Sequence, residues 1–221
     1  LVPVLAALMS RLRRVFDLDA HPEVIAAQLQ GDPRMDRLLG QTPGLRVPGA
    51  MDGFELALRA VLGQQVTVKA ATTLFGRFAT TFGDPATTPH PGLRFYAPTA
   101  ERVAEAGVQQ LIDLGLTQRR AQTISDLSRA LAGGELHLDA GSHLESSLQR
   151  LQAIAGIGPW TAQYIAMRAL RDPDALPASD LGLMKALGAT HPRQVTEAAQ
   201  AWRPWRAYAA LHLWHSLKSG G

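Results

Sequence analysis

The chain has 221 residues, 46% of them hydrophobic, enough to bury one core or two small ones and too apolar for an intrinsically disordered chain. It contains no cysteine, which excludes a disulfide framework, Cys-ligated zinc and thiolate-held iron–sulfur clusters. The net charge of +3, from 22 Lys+Arg against 19 Asp+Glu, permits nucleic-acid binding without requiring it, and no apolar run reaches the length of a membrane span.

The pattern is helical almost throughout. Val4, Leu5, Leu8, Leu12, Val15 and Phe16 recur at helical spacing. Pro22 and Pro33 each suit a first helical turn, with Gly31 and Gly40 as the expected stops. Gln41–Gly53 is rich in Gly and Pro and reads as a link between lobes. Two helices flank Gly63–Gln65, one carrying Phe54, Leu58 and Val61, the other Leu74, Phe75 and Phe78. Gly83–Pro98 is a long loop with four prolines. Helices are expected over about Thr99–Leu114 and Thr117–Ala132, and Ser142 with Glu145 forms a capping box for a helix through Ala153. Glu135–Leu138 alternates like a strand but is too short to build a sheet. Thr190 and Pro192 open another helix, and Pro204 opens the last, through Leu217. Leu1 is not a start methionine, so a fragment or processed form is expected.

The most informative stretch is Leu151–Asp180. Gly156 and Gly158 lie between two helical segments, where glycine allows a tight turn, a positive φ and close approach of a ligand. Pro159 suits the first turn of the following helix. Such a helix start attracts an anion through its donors and its dipole, and Thr161 can add a hydroxyl. A DNA phosphate fits; an ordinary helix–turn–helix corner is the plainer reading of a bare Gly-x-Gly.

The full string GIGPWTAQYIAMRAL is more specific. Leu151–Leu170 resembles the helix–hairpin–helix of the HhH-GPD superfamily of DNA base-excision glycosylases, and Pro173–Asp180 resembles its Pro-rich loop ending in a catalytic Asp. Phe54–Gln65 (FELALRAVLGQQ) and Trp202–Trp214 (WRPWRAYAALHLW) resemble its 3-methyladenine glycosylase II branch, so three separated motifs agree in order and spacing. The resemblance implies an all-α, two-lobed fold. Residues 51–172 would form one lobe, with the hairpin at about 143–170. Residues 1–50 plus 173–221 would form the other, with a cleft between the two. It also implies that the family's N-terminal α/β domain is missing, the chain starting about where that domain ends.

By the same resemblance Asp180 is the catalytic carboxylate. Breaking an N-glycosidic bond places positive charge on the sugar, and a nearby carboxylate stabilises it or orients the attacking water. Asp180 also precedes Leu181–Leu187, where Asp is a favoured N-cap. The two roles are compatible, because a helix N-terminus favours negative charge. Bifunctional relatives carry a lysine two residues beyond the hairpin's second Gly. Trp160 stands there. With no amine nucleophile in that place, water is the expected attacker and no lyase activity is expected.

The resemblance also implies that Trp160, Tyr164 and Trp214 are aromatic positions of the base pocket. Alkylated purines are cationic, and aromatic faces attract them by stacking and cation–π contact, about 0.5–2 kcal/mol each. Core packing is the alternative for aromatics at helical spacing. Gln65 falls at the position whose side chain fills the gap left by a flipped base, where the branch more often has leucine. The resemblance further implies a monovalent Na+ or K+ held by the main-chain carbonyls of Gln152, Ile154 and Ile157, with no required cofactor. No His/Asp/Glu cluster suggests a catalytic metal. The expected partner is damaged double-stranded DNA, bound by a monomer with no membrane association, in the bacterial cytoplasm with the nucleoid. Alternatives from other classes are a glycosylase for oxidised or deaminated bases, a non-catalytic hairpin module that only binds DNA, and a helical protein-interaction domain.

Overall fold

The computed structural model describes residues 2–139 and 141–218. In chain order the helices are α1 (Val2–Val15), α2 (Pro22–Leu29), α3 (Pro33–Gln41), α4 (Gly53–Leu62), α5 (Val68–Phe82), α6 (Ala100–Glu105), α7 (Val108–Asp113), α8 (Gln118–Ala132), α9 (Leu144–Ala153), α10 (Pro159–Ile165), α11 (Leu181–Leu187), α12 (Pro192–Ala198) and α13 (Arg206–Lys218). A π-helical turn, Ala166–Leu170, follows α10, and a 3-10 turn, Ala199–Trp202, follows α12. The described residues contain no strand, so the protein is all-α. The Glu135–Leu138 alternation is not extended pairing, and an isolated bridge, Pro85 with Phe95, closes the proline-rich loop. That loop is pinned by Ala86 N–H on the Arg94 carbonyl at 2.8 Å and Tyr96 N–H on the Asp84 carbonyl at 2.9 Å.

Two compact units are present. One comprises Asp52–Ile165; the other comprises the residues up to Met51 and from Ala166 onward. The chain therefore leaves the first at Ile165–Ala166, inside the stretch that the sequence assigned to a single lobe.

In the Asp52–Ile165 unit α4 is the central helix and packs against α5, α8 and α10. Its sequence accounts for this: Phe54, Ala57, Leu58, Ala60, Val61 and Leu62 are all buried, an apolar surface too wide for one partner. Phe75, Phe78, Leu111, Ile124, Leu127, Leu151 and Ile165 complete the core. Helix starts are fixed by capping side chains. Asp52 accepts from Glu55 N–H at 2.7 Å, and Thr67, Thr99 and Thr117 cap α5, α6 and α8. Each such cap stabilises by about 1 kcal/mol.

Three local expectations are corrected. The helix proposed for Thr99–Leu114 is two, because Ala106 is extended and Gly107 caps α7. Ser142 does not cap α9. His143 does, its Nδ1 accepting from Ser146 N–H at 3.5 Å. Gly40 does not stop α3, which runs through Gln41 with Thr42 N–H donating to the Leu38 carbonyl at 3.0 Å.

In the other unit α13 packs against α3 and α11. Ala207, Ala209 and Ala210 give it a buried small-residue face. Trp202 is 1% exposed. Its indole N–H donates to Asp32 Oδ2 at 3.3 Å, while Asp32 Oδ1 caps α3 through Arg34 N–H at 2.8 Å. A second anchor surrounds Asp17, which is 4% exposed. Its carboxylate accepts from Tyr208 Oη at 2.7 Å, Arg171 Nη2 at 3.1 Å and Val47 N–H at 3.3 Å. Three donors around one buried carboxylate meet the condition for burying charge without a large penalty.

Candidate active site

The helix–hairpin–helix lies in the Asp52–Ile165 unit and consists of α9, a turn over residues 154–158 and α10. The turn closes through Ile157 N–H on the Ile154 carbonyl at 3.0 Å. Gly156 has φ +96, and a Cβ built there would sit 2.1 Å from Thr123 Oγ1. Glycine is thus demanded twice, by backbone conformation and by space. Gly158 has no positive φ, and an added Cβ would meet nothing within 4 Å. It is exposed, so the turn is open to solvent on this side.

Thr161, expected to offer its hydroxyl outward, is 3% exposed. Its Oγ1 accepts from the Gln64 amide at 3.0 Å. Trp160 and Tyr164, four residues apart on α10, are half-buried, with rings stacked at a centroid distance of 5.3 Å and 4° between planes. Gln65 is exposed with φ +55 in the turn between α4 and α5. Gln152 is exposed, Ile154 half-buried and Ile157 buried. The expected ion ligands are their backbone carbonyls, an all-oxygen set of the kind a hard cation takes.

Asp180 lies in the other unit at the end of the proline-containing loop. That loop begins where Arg171, at φ +59, ends the π-helical turn. Helix α13 holds it at both ends. Arg206 forms a bidentate pair with Asp174, at 2.8 and 2.9 Å, and Ala207 N–H donates to the Pro173 carbonyl at 3.0 Å. Burial pushes the Asp172 carboxyl above its ordinary range, against the hydrogen bond from Asp174 N–H and the charges of Arg206 and Arg203. At the other end Asp180 caps α11, its Oδ1 accepting from Leu183 N–H at 3.0 Å. The same oxygen accepts from the Trp214 indole N–H at 2.7 Å. Arg206 and Trp214 are eight positions apart on one helix, about 12 Å of rigid rod, so a single element sets the loop's span. Gly182 completes the arrangement: a Cβ there would lie 2.9 Å from Asp180 Oδ1 and 3.1 Å from Trp214 Cδ1.

The cap reading of Asp180 is therefore correct, and it leaves the carboxylate oriented. Trp214, which the sequence reads as an aromatic wall, orients Asp180 through its N–H. Sequence reasoning passed over Gly182 and Gln64. Gln64 was visible only as half of a Gln-Gln pair, and Gly182 only as a glycine in the first turn of α11. His212 is buried, and burial, with the nearby His215, pushes its imidazole below the ordinary histidine range. Among the described residues no cluster of His, Asp and Glu could hold a metal, and no helix is long and apolar enough to cross a membrane.

A helix–hairpin–helix beside an α4–α5 turn, with a separately anchored aspartate on a Pro-containing loop, defines the helix–hairpin–helix class of DNA repair proteins. The chain belongs to the HhH-GPD superfamily of base excision DNA repair proteins, whose family description matches residues 58–206. Residues 1–52 match the AlkA N-terminal domain. The sequence predicts that the family's separate N-terminal α/β domain is missing and that the chain starts about where it ends; the segment matched at residues 1–52 contains α1–α3 and no strand among its described residues.

The chain is 44% identical over 213 residues to the probable bifunctional transcriptional activator/DNA repair enzyme AlkA of Mycobacterium tuberculosis, covering 95% of this chain and 42% of that protein. It thus spans less than half the length of that relative. It is 35% identical over 216 residues to DNA-3-methyladenine glycosylase 2 of Escherichia coli, covering 98% of this chain and 74% of that protein. Among solved structures, the 3-methyladenine DNA glycosylase from Archaeoglobus fulgidus matches with a TM-score of 0.83 at 25% identity, over 99% of this chain and 77% of that one.

Proposed function

We propose that the protein is a monofunctional DNA N-glycosylase that releases alkylated purines of the 3-methyladenine and 7-methylguanine type from duplex DNA, leaving an intact abasic site. The observation that carries this reading is the orientation of Asp180, one oxygen of which takes both the Leu183 N–H and the Trp214 N–H. Two fixed donors hold the carboxylate in one pose before substrate arrives, as electrostatic stabilisation of a sugar cation requires.

In this reading the hairpin around Gly156 and Gly158 grips a phosphate, positioning the duplex without reading its sequence. Gln65 fills the space of the extruded nucleotide, and its exposure supports that role. Trp160, Tyr164 and Trp214 supply aromatic surface to a cationic base. A cationic base is a good leaving group, so no general acid is needed. Asp180 stabilises the charge that develops on the sugar and orients the water that attacks it. Because Trp160 stands where a Schiff-base lysine would be, strand cleavage is not part of the reaction. A monovalent cation on the carbonyls of Gln152, Ile154 and Ile157 would lend positive charge to the phosphate grip. The protein acts as a monomer on damaged DNA, in the bacterial cytoplasm.

The test is release of bases from methylated duplex by the chain and by Asp180→Asn. Loss of release in the variant, with binding to damaged duplex retained, supports the enzyme. Salt-sensitive binding with no release by either chain instead supports a DNA-binding module.

A further inference from the structure

Gln65 adopts φ +55. A non-glycine residue holds that left-handed conformation only where its surroundings fix it. The preceding residue supplies the fixing. The Gln64 side-chain amide donates to the Gly156 carbonyl at 3.1 Å and to Thr161 Oγ1 at 3.0 Å. The Gln64 carbonyl accepts from Arg120 Nη2 on α8 at 2.6 Å. On the same helix Thr123 donates to the Ala155 carbonyl at 2.7 Å. The α4–α5 turn, the hairpin turn and the start of α8 are therefore tied together at residue 64.

We propose that Gln64 is a positioning residue that locks the Gln65 turn to the hairpin, so that filling the base stack and gripping the strand occur as one rigid step. The inference rests on the glycosylase reading above. Its logic is mechanical. A side chain that replaces a base must work against the cost of unstacking, and it can do so only from a stiff support. The hairpin, held on the backbone of the same DNA, is that support, and one amide with two acceptors on it transmits the load. Thr161 is turned inward because it is one of those acceptors.

Gln64→Met keeps the side-chain length and removes the amide. The measurements are fluorescence of 2-aminopurine placed beside a lesion in duplex DNA, which reports flipping, single-turnover base release, and the melting temperature. Losing both hydrogen bonds is expected to lower the flipping signal and the release rate about tenfold while the melting temperature moves little. The double variant Gln64→Met/Gln65→Ala should flip no worse than Gln65→Ala alone, because the tie acts through residue 65. Unchanged flipping in Gln64→Met, or losses that multiply in the double variant, would overturn the inference. If Gln64→Met does not fold, Arg120→Leu removes the tie from α8 and decides the matter: reduced flipping supports the coupling and unchanged flipping ends it. A wild-type chain that flips but releases no base refutes the glycosylase reading alone, and the flipping comparison still decides the role of Gln64. A wild-type chain that does neither overturns both.

Discussion

The indole N–H of Trp214 donates to Asp180 Oδ1 at 2.7 Å, joining the last helix to the loop that carries the candidate catalytic carboxylate. An aromatic residue at this place can offer a face to a base and an edge to the carboxylate, and the two contributions are separable. Trp214→Phe keeps a ring and removes the donor. If the edge orients Asp180, the variant loses about tenfold in kcat, the worth of one hydrogen bond to a charged group, with little change in KM. If the face dominates, KM rises and kcat holds. Steady-state release of 3-methyladenine from methylated duplex separates the two outcomes.

Gly182 makes the same pair sensitive to a single methyl group. A Cβ at 2.9 Å from Asp180 Oδ1 is closer than packing allows, and the neighbour it meets is a carboxylate already engaged by two donors. Gly182→Ala should therefore displace Asp180 or Trp214 and lower the excision rate at least tenfold, since a misplaced catalytic group loses rate steeply. Helix α11 should gain about 0.5–1 kcal/mol in propensity and lose a comparable amount from the disturbed Asp180 cap, so stability should change little. Single-turnover excision and a melting curve on the same sample check both halves. Full activity in Gly182→Ala would show that the pair tolerates movement.

Much of this site was legible in the sequence, and the reason is local. Asp180 before an apolar heptad announces a capped helix start, and Gly156 announces a left-handed turn; both depend on neighbours a few residues away. What was not legible depends on distant partners. Nothing near Trp214 says that its N–H meets a residue 34 positions earlier. Nothing in GQQV says which glutamine faces the hairpin, because both amides have the same chemistry and only the backbone turn distinguishes them. The fold errors have the same origin. Apolar periodicity runs unbroken through Ala106–Gly107, so one helix was expected where Gly107 starts a second. His143 and Ser142 can both cap, and the helix start, not the residue type, chose His143.

Gly156 should tolerate no side chain. Alanine there would adopt φ +96 and place its Cβ 2.1 Å from Thr123 Oγ1, whose hydroxyl is committed to the Ala155 carbonyl. The backbone strain alone costs about 1–3 kcal/mol, and the clash adds to it. Gly156→Ala should lower the melting temperature and weaken binding to undamaged duplex together. Adding Thr123→Ala removes the closest atom and should recover part of both. A Gly156→Ala chain with wild-type stability and duplex affinity would mean that the turn relaxes freely.

Tyr208 gives a pH-dependent stability. Burial, reinforced by the hydrogen bond to Asp17 and that residue's negative charge, raises its phenol above the ordinary tyrosine range, outweighing Arg171 and Arg46. The folded chain therefore keeps the proton at pH values where the unfolded chain has begun to lose it. The unfolded state binds fewer protons there, so stability falls as pH rises past the ordinary tyrosine pKa of about 10. Below that value the contribution of Tyr208 is fully present. Tyr208→Phe removes the phenol and leaves Asp17 with Arg171 and Val47 N–H as side-chain and backbone donors. It should cost about 1–3 kcal/mol at neutral pH, the penalty for withdrawing a donor from a buried carboxylate. Denaturant midpoints for the two proteins should then draw together as pH rises above about 10, because only the wild type has this term to lose. Parallel midpoints above about pH 10 would mean that the Tyr208–Asp17 hydrogen bond makes no net contribution to the anchor that holds Arg171 at the start of the Asp180 loop.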